Sequence, residues 1–213
     1  MKATSRTFGL ALAFLSAAST LTAQSFSVGL RGSGSIPTGD FSQTATTTSA
    51  NNAAIEGAKN GFGYGLDVGL GLGPIGIYAG FDHIKFDCET TTCRTDGKYT
   101  LQGVTGGVKL ALPMSSLVRP FVKGGVTFND LQGGYGGQSS NVLTTDKTPG
   151  YELGVGADIT LLGLVSLSPQ ARYVGQQLKA KIPGVNAPAA SGQSVNYLSF
   201  DLGLSVHTPF GKR

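Results

Sequence analysis

The chain has 213 residues and a formal net charge of +4, and only 13% of its residues are charged. An ordinary soluble surface is about 25–35% charged, so this composition does not fit one. Disordered chains are also richer in charge, and the basic residues are too scattered for a nucleic-acid-binding protein.

Residues 1–23 have the pattern of a cleaved export signal. Lys2 and Arg6 supply the positive start, an apolar stretch follows over 8–18, and small residues continue to Ala23, the predicted cleavage point. The apolar stretch is shorter than the about 20 residues that a membrane-spanning helix needs. We therefore predict a signal peptide over 1–23 and a single domain over 24–213.

Eight segments of the mature chain alternate between apolar residues and small or polar ones. The clearest runs from Phe62 to Leu72, where every second residue is apolar. This period of two is typical of a strand with one apolar face. In the third segment, Asp82, His83 and Lys85 interrupt the alternation, and a bulge near the loop would change its phase. The predicted strands cover residues 25–34, 61–72, 75–87, 98–112, 119–130, 150–161, 164–177 and 195–208.

The connections between these strands are alternately long and short. Those at 73–74, 113–118 and 162–163 are short, whereas those at 35–60, 88–97, 131–149 and 178–194 are longer and polar. Short turns at one end and long loops at the other are typical of outer-membrane barrels. Strands of roughly 9–11 residues cross the hydrocarbon at a tilt, and in lipid a sheet must close to pair its backbone groups. We therefore predict an all-β fold, an eight-stranded antiparallel up-and-down transmembrane β-barrel.

The aromatic residues predict two belts at the depths of the two membrane interfaces. Five tyrosines fall at the long-loop end of the predicted strands, and three other aromatic residues fall at the short-turn end. Strands favour aromatic residues in any case, so the belts are a hypothesis. The first group is Tyr64, Tyr99, Tyr151, Tyr173 and Tyr197, and the second is Tyr78, Phe121 and Phe210.

Charged residues on the strands are predicted to face the lumen. If they faced lipid instead, each cationic side chain would cost about 2–4 kcal/mol at the bilayer midplane. An eight-stranded barrel is just wide enough for side chains to fill. We therefore predict a mixed ionic network inside the barrel rather than an open pore. Its members are Arg31, Asp67, Lys109, Lys123, Glu152, Asp158, Arg172 and Asp201.

The two cysteines, Cys88 and Cys93, are separated by four residues. In an exported protein this spacing predicts one disulfide that closes the tip of a loop. A zinc site needs more ligands at matching spacing, and the two histidines, His83 and His207, fall on different predicted strands. We predict no metal and no cofactor.

One pair of residues suggests catalysis. Ser205 and His207 lie two residues apart on one face of the last predicted strand. No carboxylate is evidently placed to orient the histidine, as a catalytic triad requires. We interpret the pair as a chance neighbourhood and predict no enzymatic activity. A lipid hydrolase or acyltransferase is the alternative that depends on these two residues.

The two ends of the mature chain resemble a known family. The segments 26–41 and 198–210 are similar to the first and last strands of outer-membrane β-barrel domains, the eight-stranded opacity-type barrels and the transmembrane domain of outer membrane protein A. The resemblance implies a place in the outer membrane of a Gram-negative-type bacterium. It also implies contact with the lipid bilayer and its lipopolysaccharide, and recognition of the last strand by the barrel-assembly machinery.

Together these features predict a structural or surface-interaction protein whose long extracellular loops meet a surface partner. The alternative is a small porin-like channel or a binder of small hydrophobic molecules. The charged lumen and the glycine-rich interior motivate that alternative.

Overall fold

The architecture is taken from a computed structural model. It describes residues 24–43, 57–88, 98–112, 117–134, 143–145, 148–178, 180–181 and 193–210. The predicted signal peptide over 1–23 lies outside these residues. In the described parts of the chain, no helix reaches the length and apolarity of a membrane span.

The described chain folds into ten strands and one 3-10 turn. Eight strands are long and two, β6 and β9, are short. The 3-10 turn, Gly39–Ser42, follows the first strand directly. The strands are β1 Gln24–Thr38, β2 Ala58–Leu72, β3 Ile75–Cys88, β4 Lys98–Ala111, β5 Val118–Gly134, β6 Leu143–Thr145, β7 Thr148–Leu162, β8 Val165–Leu178, β9 Ala180–Lys181 and β10 Gln193–Phe210.

The eight long strands form a closed antiparallel barrel. Each pairs with the preceding and the following long strand, and β1 also pairs with β10. Leu30 on β1 lies opposite Leu66 of β2 on one side and opposite Leu204 of β10 on the other. The short strands β6 and β9 extend the wall beside β5. The predicted eight-stranded up-and-down barrel is confirmed.

The turns at one end of the barrel are tight. Gly73 between β2 and β3 has a φ of 71°, and Gly163 between β7 and β8 has a φ of 49°. Glycine adopts this left-handed conformation without steric cost, which allows each hairpin to reverse within two residues. We call this the short-turn end. The other end, the long-loop end, carries the longer connections, most of which lie outside the described residues.

The outer face of the barrel is apolar over most of its height. On β2, Leu66, Val68 and Leu70 are all exposed, and on β10 Leu202 and Leu204 are exposed as well. The intervening residues point inward. An exposed apolar surface of this extent is stable in hydrocarbon and not in water.

Near the long-loop end this polarity is inverted, which the sequence analysis did not predict. On β3 the outward series passes from Phe81 to His83 and Lys85, while the inward series passes from Asp82 to Ile84 and Phe86. On β3, β4, β5 and β8 the outward side chains at this level form a polar collar, whereas Phe62 on β2, opposite Lys85, stays apolar and exposed. The inward side chains at this level form an apolar cap. The collar comprises His83, Lys85, Thr100, Gln102, Asp130 and Gln177. The cap comprises Phe41, Ala58, Ile84, Phe86, Tyr99, Leu101, Leu131, Val174, Leu178, Val195 and Tyr197.

The expected change of phase in the third strand is therefore wrong. β3 pairs with β4 without a shift in register from Ile75 to Asp87, so its side chains alternate throughout. A register shift does occur near the loop, but it lies between Ala58 and Gly61 on the neighbouring strand β2. The residues that interrupted the apolar alternation mark the inversion of polarity.

The predicted aromatic belts are only partly present. Tyr64 is 59% exposed and Tyr151 is 50% exposed on the outer face, where Tyr151 packs against Tyr173 at 6.1 Å between ring centroids. The prediction is wrong for Tyr99 and Tyr197, because both point inward and are buried in the apolar cap.

The predicted belt at the short-turn end is also wrong for two of its members. Tyr78 and Phe121 belong to the inward series of β3 and β5, and Phe121 is buried. The side chain of Phe210 lies outside the described residues.

Candidate functional site in the barrel interior

The structure places all eight predicted lumen charges on the inward face of the barrel. Six are buried, and Asp67 and Lys109 are partly exposed to the lumen. A ninth charge, Asp82, joins them and is 2% exposed. Sequence reasoning missed Asp82 because its neighbours on β3 disturbed the apolar alternation. The available signal was the period of two, which places Asp82 on the same face of the strand as Gly80 and Tyr78.

Arg172 on β8 connects three acidic residues. Its Nη1 lies 2.7 Å from Oε2 of Glu152, and its Nη2 lies 3.1 Å from Oδ1 of Asp82. Its Nε donates to Oδ2 of Asp201. The guanidinium is fully buried. A planar group with five donors suits this role, because it can bind several carboxylates at once.

Arg31 on β1 extends the network to β2 and β3. Its Nη2 lies 2.7 Å from Oδ1 of Asp82, and its Nη1 donates to Oδ1 of Asp67. Asp82 therefore bridges Arg31 and Arg172. The two arginines would repel each other without this shared carboxylate.

Lys123 on β5 completes the network. Its Nζ lies 3.0 Å from Oε1 of Glu152 and 4.9 Å from the ring centroid of Tyr78. The hydroxyl of Tyr78 donates to the same Oε1 at 2.9 Å. We call the linked set the ionic network. It comprises Arg31, Asp67, Asp82, Lys123, Glu152, Arg172 and Asp201.

A second ion pair lies nearer the short-turn end. The Nζ of Lys109 lies 2.7 Å from Oδ2 of Asp158, and Ser168 donates to Oδ1 of Asp158 at 2.8 Å. Lys109 also lies over the ring of Phe121, at 3.8 Å from its centroid. The structure thus divides the predicted single network into two separate groups.

A cavity of about 160 Å³ lies between the ionic network and the short-turn end. The turn residues Gly73 and Pro74 line it, so it reaches the end of the barrel. Ser205 and His207 also line it, and the Ser205 hydroxyl lies 3.0 Å from Nε2 of His207. Among the described residues, no group of three or more histidines, cysteines or acidic residues could hold a metal ion.

The apolar cap closes the lumen on the other side of the ionic network. Phe41, on the 3-10 turn, inserts into it and packs edge-on against Phe86 with 5.1 Å between ring centroids. Phe86 in turn packs against Tyr197 at 5.6 Å. All three side chains are at most 1% exposed. Cys88 is partly buried against the cap; Cys93 lies outside the described residues, so the disulfide stays a prediction.

Comparisons with known proteins agree with this architecture. A family model described as "Outer membrane protein beta-barrel domain" matches residues 8–207. Neisserial surface protein A is similar in structure, with a TM-score of 0.60 and 13% identity over 85% of this chain and 96% of that one. A major outer membrane protein from Thermus thermophilus has a TM-score of 0.52 and 14% identity over 86% of this chain and 99% of that one. Both likenesses show the fold alone.

No curated protein matches the sequence. The family match spans most of the chain, and the barrel has the closed sheet and the apolar outer face that a lipid bilayer requires. The chain belongs to the outer membrane protein beta-barrel domain family.

Proposed function

We propose that this protein is a non-conducting barrel of the outer membrane that acts through its long loops, in a structural or surface-interaction role without enzymatic activity. The observation that carries this proposal is that side chains block the lumen across its full width. Two successive layers of side chains, the apolar cap and the ionic network, occupy it in the described part of the chain.

The burial of these layers argues against a solute channel. Arg172 and Tyr197 are each 1% exposed, so water does not reach them from either end. Ion conduction would require a continuous polar path, and the apolar side chains of the cap interrupt it. The alternative of a small porin-like channel would need both layers to move.

The long-loop end is the surface that we assign to recognition. In outer-membrane barrels the short turns face the periplasm and the longer loops face the exterior. The polar collar supports this assignment, because the outer face of the barrel becomes polar there, before the loops begin. Lipopolysaccharide headgroups would surround the collar, and a surface partner would meet the loops beyond it.

The cysteines and the N-terminus complete the proposal. Export behind a signal peptide over 1–23 would bring Cys88 and Cys93 into an oxidising compartment, where a disulfide would close the loop between β3 and β4. The barrel-assembly machinery would then insert the chain through its last strand.

Three measurements test the proposal. Purified folded protein in planar bilayers should show no conductance steps; reproducible steps would favour the channel. Protease added to intact cells should cleave within 44–56 or 135–142, and full protection of both would refute the orientation. Lipid profiles should be unchanged by His207→Ala, whereas a specific loss of one modified lipid would reveal an enzyme.

A further inference from the structure

The cavity at the short-turn end is unusual for a barrel of this size. Eight-stranded barrels are normally just wide enough to be filled by their own side chains. Here one wall contributes little volume, because Gly69, Gly71, Gly76 and Gly203 occupy inward positions on β2, β3 and β10. The resulting space of about 160 Å³ could hold about five water molecules at about 30 Å³ each.

The opposite wall of the cavity carries most of its charge. Three basic and two acidic residues line the space: Lys109, Arg119, Lys123, Asp67 and Asp158. The acidic residues are already paired, Asp67 with Arg31 and Asp158 with Lys109. Lys123 is held by Glu152. The formal balance of the lining is therefore positive by one charge.

Arg119 supplies that surplus. It lies opposite Asp158 in the pairing of β5 with β7, but the Asp158 oxygens accept from Lys109 and Ser168. Within the part of the chain that the structure describes, Arg119 has no ion-pair partner. Its side chain is exposed at the mouth of the cavity. A guanidinium in that position can donate two parallel hydrogen bonds to an oxyanion.

Lys109 and the serines give the cavity further donors. The Lys109 ammonium is fixed by Asp158 and Phe121, and 28% of its side chain remains exposed to the space. Ser25, Ser27 and Ser205 line the glycine-rich wall with hydroxyl groups. Cations on one side and hydroxyls on the other match a small oxygen-rich anion better than an apolar molecule.

We propose that this cavity binds a small oxyanion, a phosphate ion or a compact phosphate monoester, between Arg119 and Lys109. Access is from the short-turn end. This inference rests on the proposed function in one respect: the proposed orientation of the barrel places the mouth of the cavity in the periplasm, which would then supply the ligand. Binding itself does not depend on that orientation.

Inorganic phosphate is the probe that tests the proposal on the full mature chain folded in detergent micelles, where both ends are accessible. Isothermal titration should give saturable binding, and the backbone amide signals of Gly71 and Ser205 should shift with the same affinity. Arg119→Gln should weaken binding at least tenfold, which is the effect of losing one charge-assisted hydrogen bond.

Two further variants separate the cavity from general charge. Gly203→Leu should abolish binding by filling the space; a Cβ there would lie no closer than 3.5 Å to its neighbours, so the barrel wall can accept it. Lys85→Gln removes the same charge from the polar collar at the other end and should leave the affinity unchanged. Heat-modifiable gel migration verifies that each variant is folded.

The proposal is overturned by absence of saturable binding, by equal weakening in Arg119→Gln and Lys85→Gln, or by full affinity in folded Gly203→Leu. Protease cleavage on intact cells tests the orientation separately. If the loops prove to be protected there while phosphate still binds, the proposed orientation fails and the cavity site stands.

Discussion

Replacing Arg172 with methionine should strongly destabilise the barrel. Methionine keeps much of the length of the side-chain stem but removes the guanidinium that contacts Asp82, Glu152 and Asp201. Asp82 would retain Arg31, and Glu152 would retain Lys123. Asp201 has no other cation among its described contacts and would remain buried with hydrogen bonds alone, from Ser199 at 2.6 Å and Gln170 at 3.1 Å.

The expected cost follows from that uncompensated carboxylate. Removing one partner of a buried ion pair typically costs about 3–5 kcal/mol. This loss would lower the folding equilibrium constant by roughly two to four powers of ten. Lys109→Met is the matched control, because the Lys109 side chain is 28% exposed, and Asp158 keeps the hydrogen bond from Ser168 and faces Arg119 on the neighbouring strand, a cation left unpaired within the described chain. We expect about 1 kcal/mol for the control.

Urea titration of folding into phospholipid vesicles measures both effects. The chain contains no tryptophan, so tyrosine fluorescence and the fraction with heat-modifiable gel migration serve as the two signals. Adding Asp201→Asn to Arg172→Met should restore part of the lost stability, because the buried negative charge disappears. Equal destabilisation by Arg172→Met and Lys109→Met, or no recovery in the double variant, would refute the reasoning.

Four other predictions follow from the same geometry. Phe41→Ala should lower the free energy of unfolding by about 3–5 kcal/mol and accelerate proteolysis of the adjoining loop; an unchanged urea midpoint would mean that the cap is not cohesive. Gly107→Ala should impair folding because its Cβ would lie 2.2 Å from a backbone oxygen of the facing strand, whereas Gly106→Ala, with 3.9 Å to the nearest atom, should fold normally on gels. Leu66→Lys on the exposed outer face should cost about 2–4 kcal/mol in vesicle folding, and a smaller effect would place that position outside the hydrocarbon. Cys88→Ser should cost about 2 kcal/mol if the predicted disulfide forms; ready alkylation of the unreduced wild-type thiol would argue that it does not.

The sequence was sufficient for the barrel and for which side chains enter it. Strict alternation on β2 and β10 defines one lipid-facing series, and charged residues cannot belong to it at low cost. It also indicated Arg31, Arg172, Asp67, Glu152 and Asp201 as interior groups, but not Asp82, the carboxylate that both arginines share. Which carboxylate contacts which guanidinium depends on the stagger of strands around the barrel, and a linear pattern does not contain that information.

The inversion of polarity was visible in the sequence but was misinterpreted. On β4 the apolar residues occupy odd positions at Tyr99 and Leu101 and even positions at Val104 and Val108. Such a switch without a bulge means that the solvent changes from lipid to water along the strand. The tyrosine belt was overestimated for the same reason, because position along a strand does not tell which face a tyrosine occupies.

The boundary between the apolar outer face and the polar collar also fixes how deeply the molecule sits in its bilayer. Shifting the barrel toward its short-turn end would bring His83 and Lys85 into hydrocarbon, and shifting it toward its long-loop end would expose Leu66 and its neighbours to water. At the short-turn end the apolar surface continues to Leu72 and Ile75 beside the hairpin itself. A bilayer of different thickness must therefore adjust at the short-turn end, while the polar collar keeps the long-loop end at a constant distance from the hydrocarbon.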